Sequence, residues 1–198
     1  MEIIRHIKSI INEFDSNAVD TLNEIKKVIS KSEKPDFSQI KDGERFMYHG
    51  IEFVRLGLEQ GGILCMTTKP IFKEAFDNDC YNNWAKSSIR KNLNAVFLPL
   101  MDENDLLPFE SDLTADNGDT AYGKCVGKIG ILSCDLYRKY RNIVPLFDEW
   151  MWTCTPWHCD AHNYGNARGV RLVGSDGTVY NHSAYVAYGL APACIFRI

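Results

Sequence analysis

Apolar residues change their spacing at about residue 40, and that change divides the chain. Across residues 2–31, Ile4, Ile7, Ile11, Phe14, Ala18, Ile25 and Val28 recur near a three-four spacing with charged residues between them. One face of a helix is predicted there. Asp15-Ser16-Asn17 breaks the run, and Ser16 can cap a second helix. Two arrangements fit: a helix or helical hairpin packed on the body, or a short coiled-coil handle that makes homo-oligomers through residues 3–29. Lys31 to Gln39, with Pro35, reads as a linker. The domain reading is a helical segment over 1–34 and a body over 40–198.

In the body the pattern shortens to strands. Arg45-Phe46-Met47-Tyr48 and Ile51 to Leu56 flank His49-Gly50, which predicts a β-hairpin. Ile63 to Thr67 is a short apolar run that reads as a buried third strand. A loop is expected through Pro70 and Phe76. Residues 83–97 predict a helix with Ser87 or Ser88 as its cap and Ile89, Leu93 and Phe97 as its apolar face. Residues 101–124 are acidic and turn-rich, with Asp116-Asn117-Gly118-Asp119 as the clearest loop tip. Ile129 to Ser133 reads as a strand whose Ser133 caps a helical turn through Leu136 and Tyr140. Further strands are predicted at Trp150 to Thr153, at Gly169 to Val173 turning at Asp176-Gly177 into Thr178 to Tyr180, and at Ala193 to Ile198. The sum is an α+β fold with a mostly antiparallel sheet, segregated helices and long loops.

Composition narrows the function classes. The formal charge of −4 over 198 residues gives no broad basic field, so no nucleic-acid partner is expected. No apolar run has the length of a membrane span, so no membrane insertion is expected. Met1 to Phe14 lacks the uninterrupted apolar core of a signal peptide, which makes a cytoplasmic or phage-particle location the expectation. Seven cysteines without an export signal read as free, buried thiols. The nearest approach to a zinc pattern is Cys154, His158, Cys159 and His162, with Cys154 and Cys159 on different kinds of element. No metal and no cofactor is expected.

Five motifs in order resemble a known family. They are Asn82-Asn83-Trp84 with Ser87-Ser88, Arg90 and Leu93-Asn94; Ile131-Leu132-Ser133 with Tyr137 and Tyr140; Trp152-Thr153-Cys154-Thr155-Pro156; Ser175 to Val179; and Leu190-Ala191-Pro192-Ala193. The pattern is similar to that of a family of bacterial and phage domains of unknown function with a C-type-lectin-like fold. It covers residues 40–198. The family's motifs carry arginine where this chain has Cys154 and Ala191, so no role of those arginines transfers. Related domains of that fold include the formylglycine-generating enzymes, whose reactive cysteine pair has no counterpart here. They also include the variable proteins of diversity-generating retroelements, which display diversified residues near the C-terminus of a rigid scaffold. The resemblance implies a fold and carries little function by itself.

Side-chain chemistry favours binding over catalysis. Trp157, His158, Asp160, His162, Asn163, Tyr164 and Asn166 crowd one predicted loop, and Tyr180, Asn181, His182, Tyr185 and Tyr188 a second. Tyr and Trp offer rigid contact area at low entropy cost, and Asn adapts its hydrogen bonds. Trp150 and Trp152 are expected in the core. A nucleophilic enzyme would need Cys159 with His162 and Asp160, or Cys154 with His182, and neighbours on a loop seldom face each other productively. The reading is a non-enzymatic module presenting loops 157–166 and 180–188 to a protein or cell-surface glycan. Its alternative is a structural or assembly protein of phage or bacterial origin, oligomerised by its N-terminal helices.

Overall fold

A computed structural model describes residues 34–159 and 167–198. The helical segment expected over 2–31 lies outside the described residues, as do Asp160, His162, Asn163, Tyr164 and Asn166.

The chain first builds two tight hairpins. Strand β1 (Arg45–Tyr48) pairs with β2 (Ile51–Glu59), which pairs with β3 (Gly62–Thr67). Both connections have two residues, His49-Gly50 and Gln60-Gly61, and all four φ angles are positive, between 48° and 86°. That is the turn whose twist suits paired strands. The His-Gly signal is therefore correct, and Gln60-Gly61 supplies a second turn of the same kind.

Residues 70–76, expected as loop, contain β4 (Phe72–Ala75). A short 3₁₀ turn at Trp84–Lys86 leads into α1 (Ser88–Val96), which the Ser87 hydroxyl caps by accepting from the Arg90 amide at 3.3 Å. Ile89, Leu93 and Phe97 are buried as the periodicity requires. The acidic stretch 101–124 is more structured than its composition suggests. It holds β5 (Leu106–Leu107) and β6 (Phe109–Asp112), the latter paired with β7 (Lys124–Gly127). Asp105 is buried there and accepts from the Tyr48 hydroxyl at 2.8 Å and from Lys34.

The strand expected over 129–133 is short, β8 (Ile129–Gly130), and Ser133 caps α2 (Cys134–Lys139) through the Leu136 amide at 3.2 Å. Then come β9 (Met151–Pro156), β10 (Gly169–Val173), β11 (Val179–Ser183), β12 (Ala187–Leu190) and β13 (Ala193–Phe196).

One sheet runs β1-β2-β3-β13-β5, with β8 also on β13, and a second runs β11-β10-β9-β12-β4. Every pairing is antiparallel except β9 with β12. The fold is thus mostly antiparallel sheet with few helices, an α+β arrangement. Strands β3 and β13 explain why two apolar runs lack alternation. Ile63, Cys65, Cys194 and Phe196 enter one core cluster, while Leu64, Met66, Ala193 and Ile195 enter the other. A strand buried on both faces has no polar position to offer.

Candidate functional site

The five-stranded sheet sorts the candidate residues onto two faces. Successive side chains of a strand point oppositely, so Tyr180 and His182 share one face of β11 and Asn181 takes the other. The face of Tyr180 is the core side. Its ring stacks with Trp150 at 4.7 Å and 6°, and its hydroxyl donates to Asp176 at 3.0 Å. Tyr188 also stacks with Trp150, at 5.6 Å, and meets Trp152 edge-on at 5.1 Å. His182 packs edge-on against Tyr188 at 5.3 Å, and its Nδ1 accepts from the Ser183 amide at 3.0 Å. These rings cover the margin of the core. Most of the span 180–188, read as a loop, is strand β11 and strand β12, joined by a short turn at whose tip Tyr185 is exposed. Trp152 is fully buried, whereas Trp150 is only half-buried beneath the two tyrosines.

The opposite face brings one residue from each candidate loop together. Trp157 follows β9, its amide donates to the Gly169 carbonyl at 2.9 Å, and it keeps 40% of its surface exposed. Asn181 lies opposite Arg171 in the β10–β11 register. Between Trp157 and Asn181 sits Gly169, and its lack of a side chain makes the approach possible. A Cβ there would lie 2.7 Å from Asn181 Oδ1 and 3.0 Å from Trp157 Cβ. The Asn181 side-chain amide makes no hydrogen bond with the described residues.

Electrostatics fix the indole from below. The Arg171 guanidinium lies 4.2 Å from the Trp157 ring centroid and pairs with Asp116, which also takes Arg138 at 3.3 Å. Arg138 in turn bonds Asp135 at 2.9 Å. Burial by itself would raise the Asp116 carboxyl, but the two arginines hold it below the usual carboxylate range. Two arginines face two aspartates, so the floor of this patch is electrically balanced. Asp116, read in the sequence as part of a solvated acidic tip, is a clamp.

Asn82 is the positioning residue that sequence reasoning missed. It is fully buried, and its amide nitrogen donates to the carbonyls of His158 and Gly169, both at 2.9 Å. Its oxygen accepts from the Tyr122 hydroxyl at 2.8 Å. It thus pins together the two chain segments that carry Trp157 and Gly169. Its place at the head of the Asn-Asn-Trp motif was the available signal.

The thiols point elsewhere. All seven are free, and only Cys80 is not buried. Burial pushes the Cys154 thiol well above its ordinary range, with Cys134 nearby adding to the effect. Cys159 is buried and its thiol donates to the Asp119 carbonyl at 3.5 Å. Cys154 and His182 form no pair, since Cys154 belongs to the core while the His182 ring packs on Tyr188. Among the described residues no three His, Cys, Asp or Glu side chains gather as a metal site, and His162 lies outside them.

A cleft of about 510 Å³ opens beside Tyr81, Lys86 and Lys91. It borders the start of α1, whose first amides are already satisfied. Asp77 takes Ser88 N at 2.9 Å, the Phe76 carbonyl takes Ile89 N and Ser87 takes Arg90 N. No backbone donor of the helix start is left there for an anion. Among the described residues no helix is long and apolar enough to cross a membrane. Comparison of the chain with protein-family models, curated proteins and solved structures finds no match.

Proposed function

We propose that this chain is a non-enzymatic binding module with a C-type-lectin-like body. It presents the Trp157–Asn181 face to a protein or cell-surface glycan. The observation that carries the reading is the convergence of an exposed indole and an unengaged amide over Gly169, on a floor whose charges cancel. Such a patch is built before any partner arrives. Asn82 fixes its backbone and Arg171 fixes its ring, so little ordering entropy remains to oppose association. Buried thiols with raised pKa values are poor nucleophiles, because the thiolate is the reactive form. That favours binding over cysteine chemistry.

The test is capture. Wild-type protein and the double variant Trp157→Ala/Asn181→Ala are immobilised and exposed to bacterial envelope and lysate fractions. The expected result is a ligand retained by wild type and lost, by roughly tenfold or more, from the variant. Unchanged far-ultraviolet circular dichroism shows that the variant is folded. Equal retention by both proteins would remove this face from consideration.

A further inference from the structure

Resting on that reading, we infer that the Trp157–Asn181 patch takes the pyranose ring of an uncharged glycan rather than a protein surface. Size is the first argument. The apolar surface offered here is a single indole, 40% exposed, with the Arg171 guanidinium against its ring and paired charges beside it, whereas a stable protein interface buries about 1,200–2,000 Å² around clustered anchors. One indole matches one sugar ring, whose axial C–H groups form an apolar face.

Charge is the second argument. Arg171, Arg138, Asp116 and Asp135 neutralise one another, so the patch selects neither phosphate nor carboxylate nor an ammonium group. What remains uncommitted is the Asn181 amide, one acceptor and a two-hydrogen donor. That set complements adjacent hydroxyls, each of which both donates and accepts. Geometry is the third. Asn181 and Trp157 both pack closely on Gly169, where a Cβ would meet Asn181 Oδ1 at 2.7 Å and Trp157 Cβ at 3.0 Å, so the side-chain amide and the indole are held next to each other. A sugar ring laid on the indole would therefore have the Asn181 side-chain amide within reach of its hydroxyls.

The experiment titrates the full chain with methyl glycosides of glucose, galactose, mannose and N-acetylglucosamine, followed by tryptophan fluorescence and by the Trp157 indole N–H resonance. A saturable change with at least one glycoside is expected. Trp157→Ala, Asn181→Ala and Gly169→Ala should each weaken it by roughly tenfold, and Trp157→Tyr should retain part of it. A second arm repeats the envelope capture after periodate treatment of the fractions, which cleaves vicinal diols. Loss of capture supports the glycan. Capture that survives periodate yet still needs Trp157 overturns the glycan assignment and leaves a protein ligand. Capture that ignores Trp157 and Asn181 overturns both. No response to any glycoside, together with periodate-resistant capture, also overturns the inference.

Discussion

The Asn82 side-chain nitrogen donates to the Gly169 carbonyl oxygen at 2.9 Å, the same oxygen that accepts from the Trp157 backbone amide. One buried amide therefore sets the spacing between the indole and the glycine beside it. Asn82→Ala should leave the His158 and Gly169 carbonyls and the Tyr122 hydroxyl short of partners. The expected loss is about 2–4 kcal/mol of unfolding free energy, measured by urea denaturation. Asn82→Asp should cost more at neutral pH, because a carboxylate would face two carbonyl oxygens. Part of that cost should be recovered as acid restores a proton that can be donated.

Thiol burial gives a pH dependence with a definite sign. Cys65, Cys154 and Cys194 are all held neutral by desolvation, well above the ordinary thiol range. In the unfolded chain they ionise near pH 8.5–9, so above that point the unfolded state binds fewer protons and is favoured. Their contribution is complete below the unfolded pKa and drains away as pH rises. Denaturation midpoints should be flat from pH 6 to 8 and then fall. The three thiols together account for roughly 4 kcal/mol per pH unit above 9.

Thiol counting provides a separate check. Cys65 and Cys194 lie opposite each other on β3 and β13. The Thr67 amide donates to the Pro192 carbonyl at 2.9 Å, which makes the neighbouring Met66–Ala193 pair the close, non-hydrogen-bonded one. Cys65–Cys194 is then the hydrogen-bonded pair, with the wider side-chain spacing that suits a disulfide less. A thiol reagent should titrate Cys80 alone on a fast timescale in the native protein. All seven should react in denaturant, including in samples stored in air.

The clamp on the indole should be separable from the fold. Asp116→Asn weakens the hold on Arg171 and Arg138, and both pairs are partly solvated, so a change of about 1 kcal/mol or less is expected in stability. The Trp157 emission should nonetheless shift, since its cationic neighbour is no longer fixed. In wild type the same shift should develop only as pH falls below the ordinary carboxylate range. The Asp116 carboxyl is depressed in the folded state, and its contribution is lost only as acid protonates it.

Capping offers a local test of the helices. Ser87→Ala removes the oxygen that accepts from Arg90 N, and Ser133→Ala the one that accepts from Leu136 N. Each should lower the unfolding free energy by about 1 kcal/mol.

Local signals in the sequence carried most of the strands. His49-Gly50, Asp176-Gly177 and the serine caps announce themselves through backbone chemistry that depends on few neighbours. Strands β4, β5, β6, β7 and β12 were not legible: β4, β5 and β12 are short and pair with partners far away in the chain, while β5, β6 and the start of β7 lie in a stretch whose acidic, turn-rich composition reads as loop. Phe72 to Ala75 becomes a strand only because Ala187 to Leu190 lies beside it. The site divided similarly. Trp157 and Asn181 were visible as residue types, but their meeting depends on the β10–β11 register and on a glycine between them. Tyr180, His182 and Tyr188 looked the same as Asn181 in composition, and one position of strand parity put them on the other face.

Strand β13 sits at the middle of its sheet, touching β3 on one side and β5 and β8 on the other. These contacts join Phe196 to Ile63 and Ile195 to Leu64, far earlier in the chain, so neither core cluster can close until residue 196 has left the ribosome. During synthesis the edge of β3 waits unpaired, with Leu64 and Met66 uncovered. Folding of this body is therefore expected to wait for β13 and to be slow, and the interval before β13 docks is when a chaperone would find it.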